Sequence, residues 1–366
     1  MRANPSNEKT KRRYFRWLKE AEGCTESTIR SVERAICVFE DYTESADFKI
    51  FCERQATGFK RWLNEKRRSG KPLSTATVYQ TIRHLKVYFK WLAGQPGYKS
   101  QISLDAVSYL SLDKKTVRAA LAPRPRKFPD LDYVIGLTGS IDVQNDIDQR
   151  DRALVAFLLL AGMRYTAICT LTLACVELDS LTVHQDPRLG VKTKFGESIT
   201  TRLFGFSDTL TEYVVSWVEY LSETKGFQPT DPLFPKTKTG QVEGGYTFVA
   251  SGVEPVQWSG GNAIREILRR RSLAAGLPYF APHAFRRAAI QLAGRHCITP
   301  EQYKAVSQNL GHKDVATTLL TYGMLDSHKV GEVLGEIDFA NKPGFKGEGI
   351  PPGEVAQFLK KYQSKA

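Results

Sequence analysis

Apolar residues in the first third of the chain recur at helical spacing. Ile29, Val32, Ile36 and Phe39 stand on one helix face. Val78, Ile82, Leu85, Phe89 and Leu92 mark a second such face, and Ser74 or Thr75 in SGKPLST can cap its start. The opposite faces carry Arg30, Arg34, Arg83, Lys86 and Lys90, so the pattern predicts a helical bundle with a basic exterior. APRPRKFPDL, residues 122–131, then crowds prolines among basic residues. Proline cannot continue a helix, so this stretch reads as an interdomain linker, and its charge suits a segment lying along nucleic acid.

Beyond the linker, DRALVAFLLLAGM predicts a buried helix ended by Gly162. Between residues 181 and 206, short β-rich runs flank a turn at KFGE, which predicts a small antiparallel hairpin. Helical periodicity returns at EYVVSWVEYL and NAIREILRRRSLAAGL. KPGFKGEGIPPGE then reads as a connector to an amphipathic end, VAQFLKKYQSKA. The expected fold class is mainly α with a small antiparallel β-sheet.

At 366 residues the chain is long for one core, and two domains are expected. Lys and Arg total 52 against 39 Asp and Glu, a formal charge of +13, which favours a polyanionic partner. The six cysteines form no C-x-x-C pair and several lie in apolar runs such as ICVF, so they read as buried, reduced thiols. The N-terminus lacks the apolar core of a secretory signal, and no run approaches the length of a membrane span. The expected location is cytoplasmic, associated with the nucleoid, with no membrane partner.

Three stretches carry candidate chemistry. Arg164 is the one charged residue between Ala153 and Val176. Because an unpaired buried charge is costly, it pairs with a distant acid, snorkels to the surface, or serves an anionic ligand. In PHAFRRAAI, Pro282 suits the first turn of a helix, and His283 and Arg286 share a face. In NLGHKDVATTLLTYG, residues 309–323, Asp314 can cap a short helix that ends at Gly323 and carries Tyr322 on its last turn.

Taken in order, RDRALVAFLLLAGMR, TKFGES, PHAFRR and NLGHKDVATTLLTYG resemble the motifs of the tyrosine recombinases, the phage-integrase-like family of DNA strand exchangers. LSTATVYQTIRHLKVYFKWL is similar to part of that family's core-binding domain, so the resemblance covers most of the chain. It implies a helical core-binding domain at 1–118, the linker at 119–130, an α+β catalytic domain at 131–342, and a connector with a tail helix at 343–366. It also implies site-specific cutting and rejoining of double-stranded DNA through a 3′-phosphotyrosine, without metal, cofactor or ATP. Tyr322 would be the nucleophile, and Arg164 and Arg286 would grip the scissile phosphate. His312 would hydrogen-bond that phosphate, and His283 would assist proton transfer at the tyrosine. Lys194 would protonate the leaving 5′ oxygen, with Lys192 as second choice. A homotetramer on paired sites is implied, with the tail docked on a neighbouring protomer and room for accessory proteins.

This chain departs from the pattern in three places, one of them the irregular hairpin loop before Lys194. His312 and Tyr322 are ten residues apart where nine is common. The acid often found three residues after the first arginine is replaced by Ala167, so Glu177 or a backbone carbonyl would have to orient Arg164. Two other readings stand beside recombination. A type IB topoisomerase would use the same tyrosine chemistry to relax supercoils, and a non-catalytic DNA-binding protein would explain the charge and helices. A metal-dependent nuclease finds no carboxylate cluster in the sequence.

Overall fold

The computed structural model describes residues 4–68, 70–122, 127–241 and 248–312. The chain divides into two compact units, Met1–Pro125 and Arg126–Ala366.

The first unit contains helices α1 (Pro5–Glu20), α2 (Glu26–Thr43), α3 (Glu53–Glu65), α4 (Thr75–Ala93), α5 (Leu104–Ser108) and α6 (Lys114–Leu121). A two-stranded ribbon of β1 (Arg67–Arg68) and β2 (Lys71–Pro72) precedes α4. Both predicted stripes, on α2 and α4, are buried in one core, and Ser74 caps α4 by accepting from the Thr77 N–H at 3.2 Å. Aromatic rings fill the centre: Phe51 stacks on Phe89 at 3.9 Å, and Phe39 meets Phe59 and Phe89 edge-on at 5.1 Å. A polar knot ties α1 to α2. Asn7, fully buried, donates to the Ala46 carbonyl at 2.9 Å and to Glu40 at 3.3 Å, and accepts from the Phe48 N–H at 3.1 Å. Lys11 pairs with the other Glu40 oxygen at 2.7 Å, so the buried charges are matched. Arg30, Arg34, Arg83 and Lys90 face solvent, while Lys86 is half-buried.

Helix α6 runs to Leu121, so residues 119–121, expected in the linker, are helical. No helix breaker stands before Pro123.

The second unit begins with α7 (Leu131–Gly139), capped by Asp130, and α8 (Asp146–Ala161), capped by Asn145. Every residue from Ala153 to Ala161 is buried, as a helix apolar on all sides requires. Gly162 ends α8 in the left-handed region with φ of 56°. The short α9 (Tyr165–Ile168) follows, then a three-stranded antiparallel sheet of β3 (Val176–Glu177), β4 (Thr182–Gln185) and β5 (Ile199–Arg202). Helix α10 (Asp208–Glu219) leads to a second ribbon, β6 (Lys236–Gln241) with β7 (Phe248–Glu254). Helices α11 (Asn262–Ala274), α12 (Pro282–Arg295) and α13 (Pro300–Asn309) complete the described part.

A buried charge network fixes α8 against α11. Asp151, fully buried, accepts from Arg150 at 2.8 and 3.1 Å, from Arg270 at 2.6 Å and from Arg271 at 2.8 Å. Arg150 also donates to the Pro235 carbonyl and to Thr237 of β6, both at 3.0 Å.

Two further expectations are corrected. The predicted hairpin is a three-stranded sheet, and β4 and β5 are joined by a long loop through residues 186–198 rather than by a tight turn at KFGE. Asp186 and Pro187 stop β4 early, and KFGE forms a single 3-10 turn just before β5. The β6–β7 ribbon was not anticipated. Cys169 and Cys175 are buried, but Cys37 and Cys52 are exposed and Cys24 and Cys297 half-buried. A helix turns about 100° per residue, so the contiguous apolar letters of ICVF cannot all face inward. Among the described residues no helix is long and apolar enough to cross a membrane.

Candidate active site

Arg286 is the centre of the site. Pro282 at the first helical position starts α12, and the helix carries Arg286 inward one turn later. The side chain is 3% exposed. Its Nη1 donates to the Gly162 carbonyl at 2.8 Å and its Nη2 to the Leu310 carbonyl at 2.8 Å. Both acceptors lie at helix C-terminal ends, those of α8 and α13, where the backbone is the negative pole of the helix dipole. They compensate part of the cost of burying a cation. Burial pushes the Arg286 guanidinium down to about 9, and the charge of Arg164 adds to the effect. Two guanidinium groups thus sit within electrostatic reach of each other in low dielectric, an arrangement that an arriving anion would relieve.

His312 is fixed by the way α13 ends. Gly311 adopts the left-handed conformation with φ of 64°. The Gly311 N–H reaches the Gln308 carbonyl at 2.8 Å, and the His312 N–H reaches the Ser307 carbonyl at 2.9 Å. This paired closure is a Schellman motif, and His312 is its last residue, the donor of the outer bond. The ring Nε2 lies 2.7 Å from Arg286 Nη2. A guanidinium only donates, so Nε2 accepts and the ring proton belongs on Nδ1. Burial first, then the charges of Arg286, Arg164 and His283, push the imidazole down to about 4. His312 is therefore neutral at pH 7, with its Nδ1–H as a donor.

The strand carrying the lysine loop is locked to the same helix end. Thr201 Oγ1 donates to the Asn309 carbonyl at 2.8 Å and accepts from Gln185 at 2.8 Å. The Asn309 amide pairs with the Arg202 backbone, accepting from its N–H at 2.7 Å and donating to its carbonyl at 2.9 Å. Ile199 packs so closely on Gly311 that an added Cβ there would fall 2.4 Å from Ile199 Cδ1.

Arg164 is half-buried and stands immediately before α9. Burial lowers its pKa, and the Glu197 carboxylate opposes that shift. Glu177, expected as one possible orienter, accepts from Ser180 Oγ at 2.7 Å and is 3.9 Å from His184. The acid whose charge acts on Arg164 is Glu197, from the loop before β5.

The structure thus brings Arg164, Arg286, His312 and His283 into one electrostatic cluster. His283 is exposed at the first turn of α12. Lys194 is exposed on its 3-10 turn, and Lys192 is also exposed, with its N–H donating to Thr170 Oγ1 at 2.9 Å. Tyr322, Asp314 and the tail VAQFLKKYQSKA lie outside the described residues. Sequence reasoning missed the two carbonyls that hold Arg286, the Asn309 clamp and Glu197. Only the glycine of NLGH signalled any of this, as a left-handed stop before His312.

Residues 140–328 match the profile of the Phage integrase family, more than half of the chain. Tyrosine recombinase XerD of Staphylococcus epidermidis is 25% identical over 319 residues, covering 84% of this chain and 91% of that protein. A lambda integrase dimer bound to a COC′ core site superposes with a TM-score of 0.59 at 13% identity, covering 86% of this chain and 77% of that one. The Tn1549 transposon integrase in complex with a circular intermediate DNA gives 0.53 at 15%, covering 90% and 99%. At those identities the structural likeness speaks to the fold alone. With the profile match spanning the segments that carry Arg164, Arg286 and His312, the chain belongs to the phage integrase family of tyrosine recombinases.

Proposed function

We propose that this protein is a site-specific DNA recombinase that breaks and rejoins duplex DNA through a covalent 3′-phosphotyrosine. The observation that carries the reading is the buried Arg286, held by two helix-end carbonyls and His312 beside the charge of Arg164. Such a preorganised cationic cleft fits a phosphodiester whose charge grows in the transition state.

In this reading Arg164 and Arg286 bind the non-bridging oxygens, and the His312 Nδ1–H donates to the same phosphate. Tyr322 Oη attacks phosphorus, its proton passing toward His283, and the 5′ oxygen leaves with a proton from Lys194. Lys192 is the alternative acid on the same loop. A phenol near its ordinary pKa of about 10 is a weak nucleophile at pH 7, and neighbouring guanidinium groups favour the phenolate. The phosphotyrosyl ester conserves the bond energy, so a 5′-hydroxyl from another strand can reverse the step without ATP.

The unit at residues 1–118 acts as a DNA clamp, the basic segment 119–130 as linker, 131–342 as the catalytic domain and 343–366 as a docking tail. Duplex DNA at specific sites is the substrate, and a homotetramer on paired sites performs full exchange, in the cytoplasm at the nucleoid. The structure of a lambda integrase tetramer bound to a Holliday junction supports that assembly by likeness, at a TM-score of 0.57.

The test is covalent trapping on a suicide substrate carrying the bound site, in excess chelator. Wild type is expected to form a protein–DNA adduct and Tyr322→Phe none. Site-bound protein that forms no adduct would make this a DNA-binding protein without strand chemistry. An adduct accompanied by relaxation of supercoils, with no exchange between paired sites, would favour the topoisomerase reading.

A further inference from the structure

We infer that Asn309 is a positioning residue for Arg286 and His312, because its amide fixes the spacing of the two helix ends that hold the arginine. The inference rests on the recombinase reading above and adds a residue to it.

Arg286 is gripped from two sides, by the Gly162 carbonyl after α8 and by the Leu310 carbonyl after α13. If either carbonyl moves, the guanidinium must follow it or lose a bond. The two helix ends are far apart in sequence, so their spacing depends on whatever bridges them.

Residues 201–204 are that bridge. At one end the Phe204 N–H donates to the Leu160 carbonyl, in the last turn of α8, at 2.8 Å. At the other end Thr201, fully buried, donates to the Asn309 carbonyl at 2.8 Å and accepts from the buried Gln185 at 2.8 Å. Between them Arg202 gives both its backbone groups to one side chain: the Asn309 amide accepts from the N–H at 2.7 Å and donates to the carbonyl at 2.9 Å. A carboxamide can pair with one residue's N–H and C=O as a neighbouring strand would, so the last residue of α13 is joined to β5 like an extension of the sheet. The joined parts also touch. A Cβ at Gly162 would fall 2.8 Å from Leu310 Cδ2 and 3.7 Å from the Phe204 ring.

Asn309 is placed to pass this constraint on. The next residue is Leu310, buried, whose carbonyl takes Arg286 Nη2 at 2.8 Å. Two residues further, His312 Nε2 accepts from the same nitrogen at 2.7 Å. The amide pair itself lies at a half-exposed edge, where water can replace a lost bond, so it contributes little to stability. Its effect is on geometry: one side chain ties the strand that leaves the lysine loop to both groups that grip Arg286.

The test takes Asn309→Ala through three measurements: equilibrium binding to the site, single-turnover adduct formation at saturating protein, and two-bond proton–nitrogen NMR of His312 in the free protein. Binding is expected to stay within about 3-fold of wild type, because duplex affinity is spread over many phosphate contacts. The cleavage rate is expected to fall roughly 10- to 100-fold, the loss typical of a group displaced by about 1 Å. The His312 ring, held less firmly against Arg286, is expected to show a mixture of tautomers in place of the Nδ1–H form alone. Asn309→Asp keeps the acceptor for the Arg202 N–H and loses only the donor. It stands in should the alanine variant not fold, with the same losses expected in smaller measure. A merely structural asparagine would lower the urea midpoint while the folded variant cleaved at the wild-type rate with the wild-type tautomer, and that result would overturn the inference. Absence of an adduct with wild type would instead sink the recombinase reading. The tautomer measurement, which needs no DNA, would still decide whether Asn309 holds the Arg286–His312 pair.

Discussion

Replacing Arg164 by glutamine is expected to raise the pKa of the His312 imidazole, and by less than replacing Arg286 would. The order follows from the site. Burial and three neighbouring charges act in the same direction and carry the imidazole from 6.5 to about 4, with Arg164 third in size behind burial and Arg286. The assay is two-bond proton–nitrogen NMR on protein labelled with 15N-histidine. The six histidines are few enough to resolve, and His312→Asn identifies the signal by its loss. The same spectra report the tautomer, expected to carry its proton on Nδ1 because Nε2 accepts from Arg286 at 2.7 Å. Stability follows with a definite sign. The folded pKa lies below the unfolded one, so the unfolded chain binds more protons between about pH 4 and 6.5. Stability therefore falls as pH drops through that window, by up to about 2 kcal/mol once partial solvent exposure is discounted, and His312→Asn should flatten the dependence. A wild-type imidazole titrating near 6.5, or protonated on Nε2, would refute the account of how Arg286 and His312 are joined.

Two further substitutions probe the frame. Gly162→Ala places a Cβ 2.8 Å from Leu310 Cδ2 and 3.1 Å from Ala289 Cβ, at a φ of 56° that disfavours any side chain. A loss of roughly 2–4 kcal/mol in urea unfolding is expected, with cleavage reduced even where the protein stays folded, because both carbonyls that hold Arg286 are displaced. Asp151→Asn turns an amide donor toward guanidinium donors inside the buried network of Arg150, Arg270 and Arg271. It is expected to cost about 3–5 kcal/mol by the same measurement, and a change below about 1 kcal/mol would show that the network contributes little.

The parts of this molecule that were legible in the sequence are those governed by local rules. The stripes of α2 and α4, the Ser74 cap and the all-apolar α8 with its glycine stop follow from periodicity and backbone preference over a few residues. Arg164, His283, Arg286 and His312 were singled out because their order matched a family pattern, and the structure sets their charges within reach of one another. What stayed hidden depends on partners distant in sequence. Residues 236–241, KTKTGQ, show no apolar alternation, and only pairing with β7 makes them a strand. The exposed Cys37 sits in an apolar run whose letters do not reveal which side faces in. The carbonyls that hold Arg286 belong to Gly162 and Leu310, and a carbonyl leaves no mark on residue type. Glu197 was passed over because the loop joining β4 to β5 has no periodic signal to place it.

The anchoring of Arg286 also bears on when during synthesis the site can assemble. The guanidinium is gripped from two directions, by a residue 124 positions before it and by one 24 positions after it. A chain still being synthesised, with Arg295 just added, already contains the arginine and the whole of α12, yet it lacks Leu310 and His312. The anchorage of Arg286 cannot close until α13 and the turn that ends it have been made and packed. A chain that stops short of Leu310 therefore cannot assemble this anchorage, by the order in which the ribosome delivers the parts.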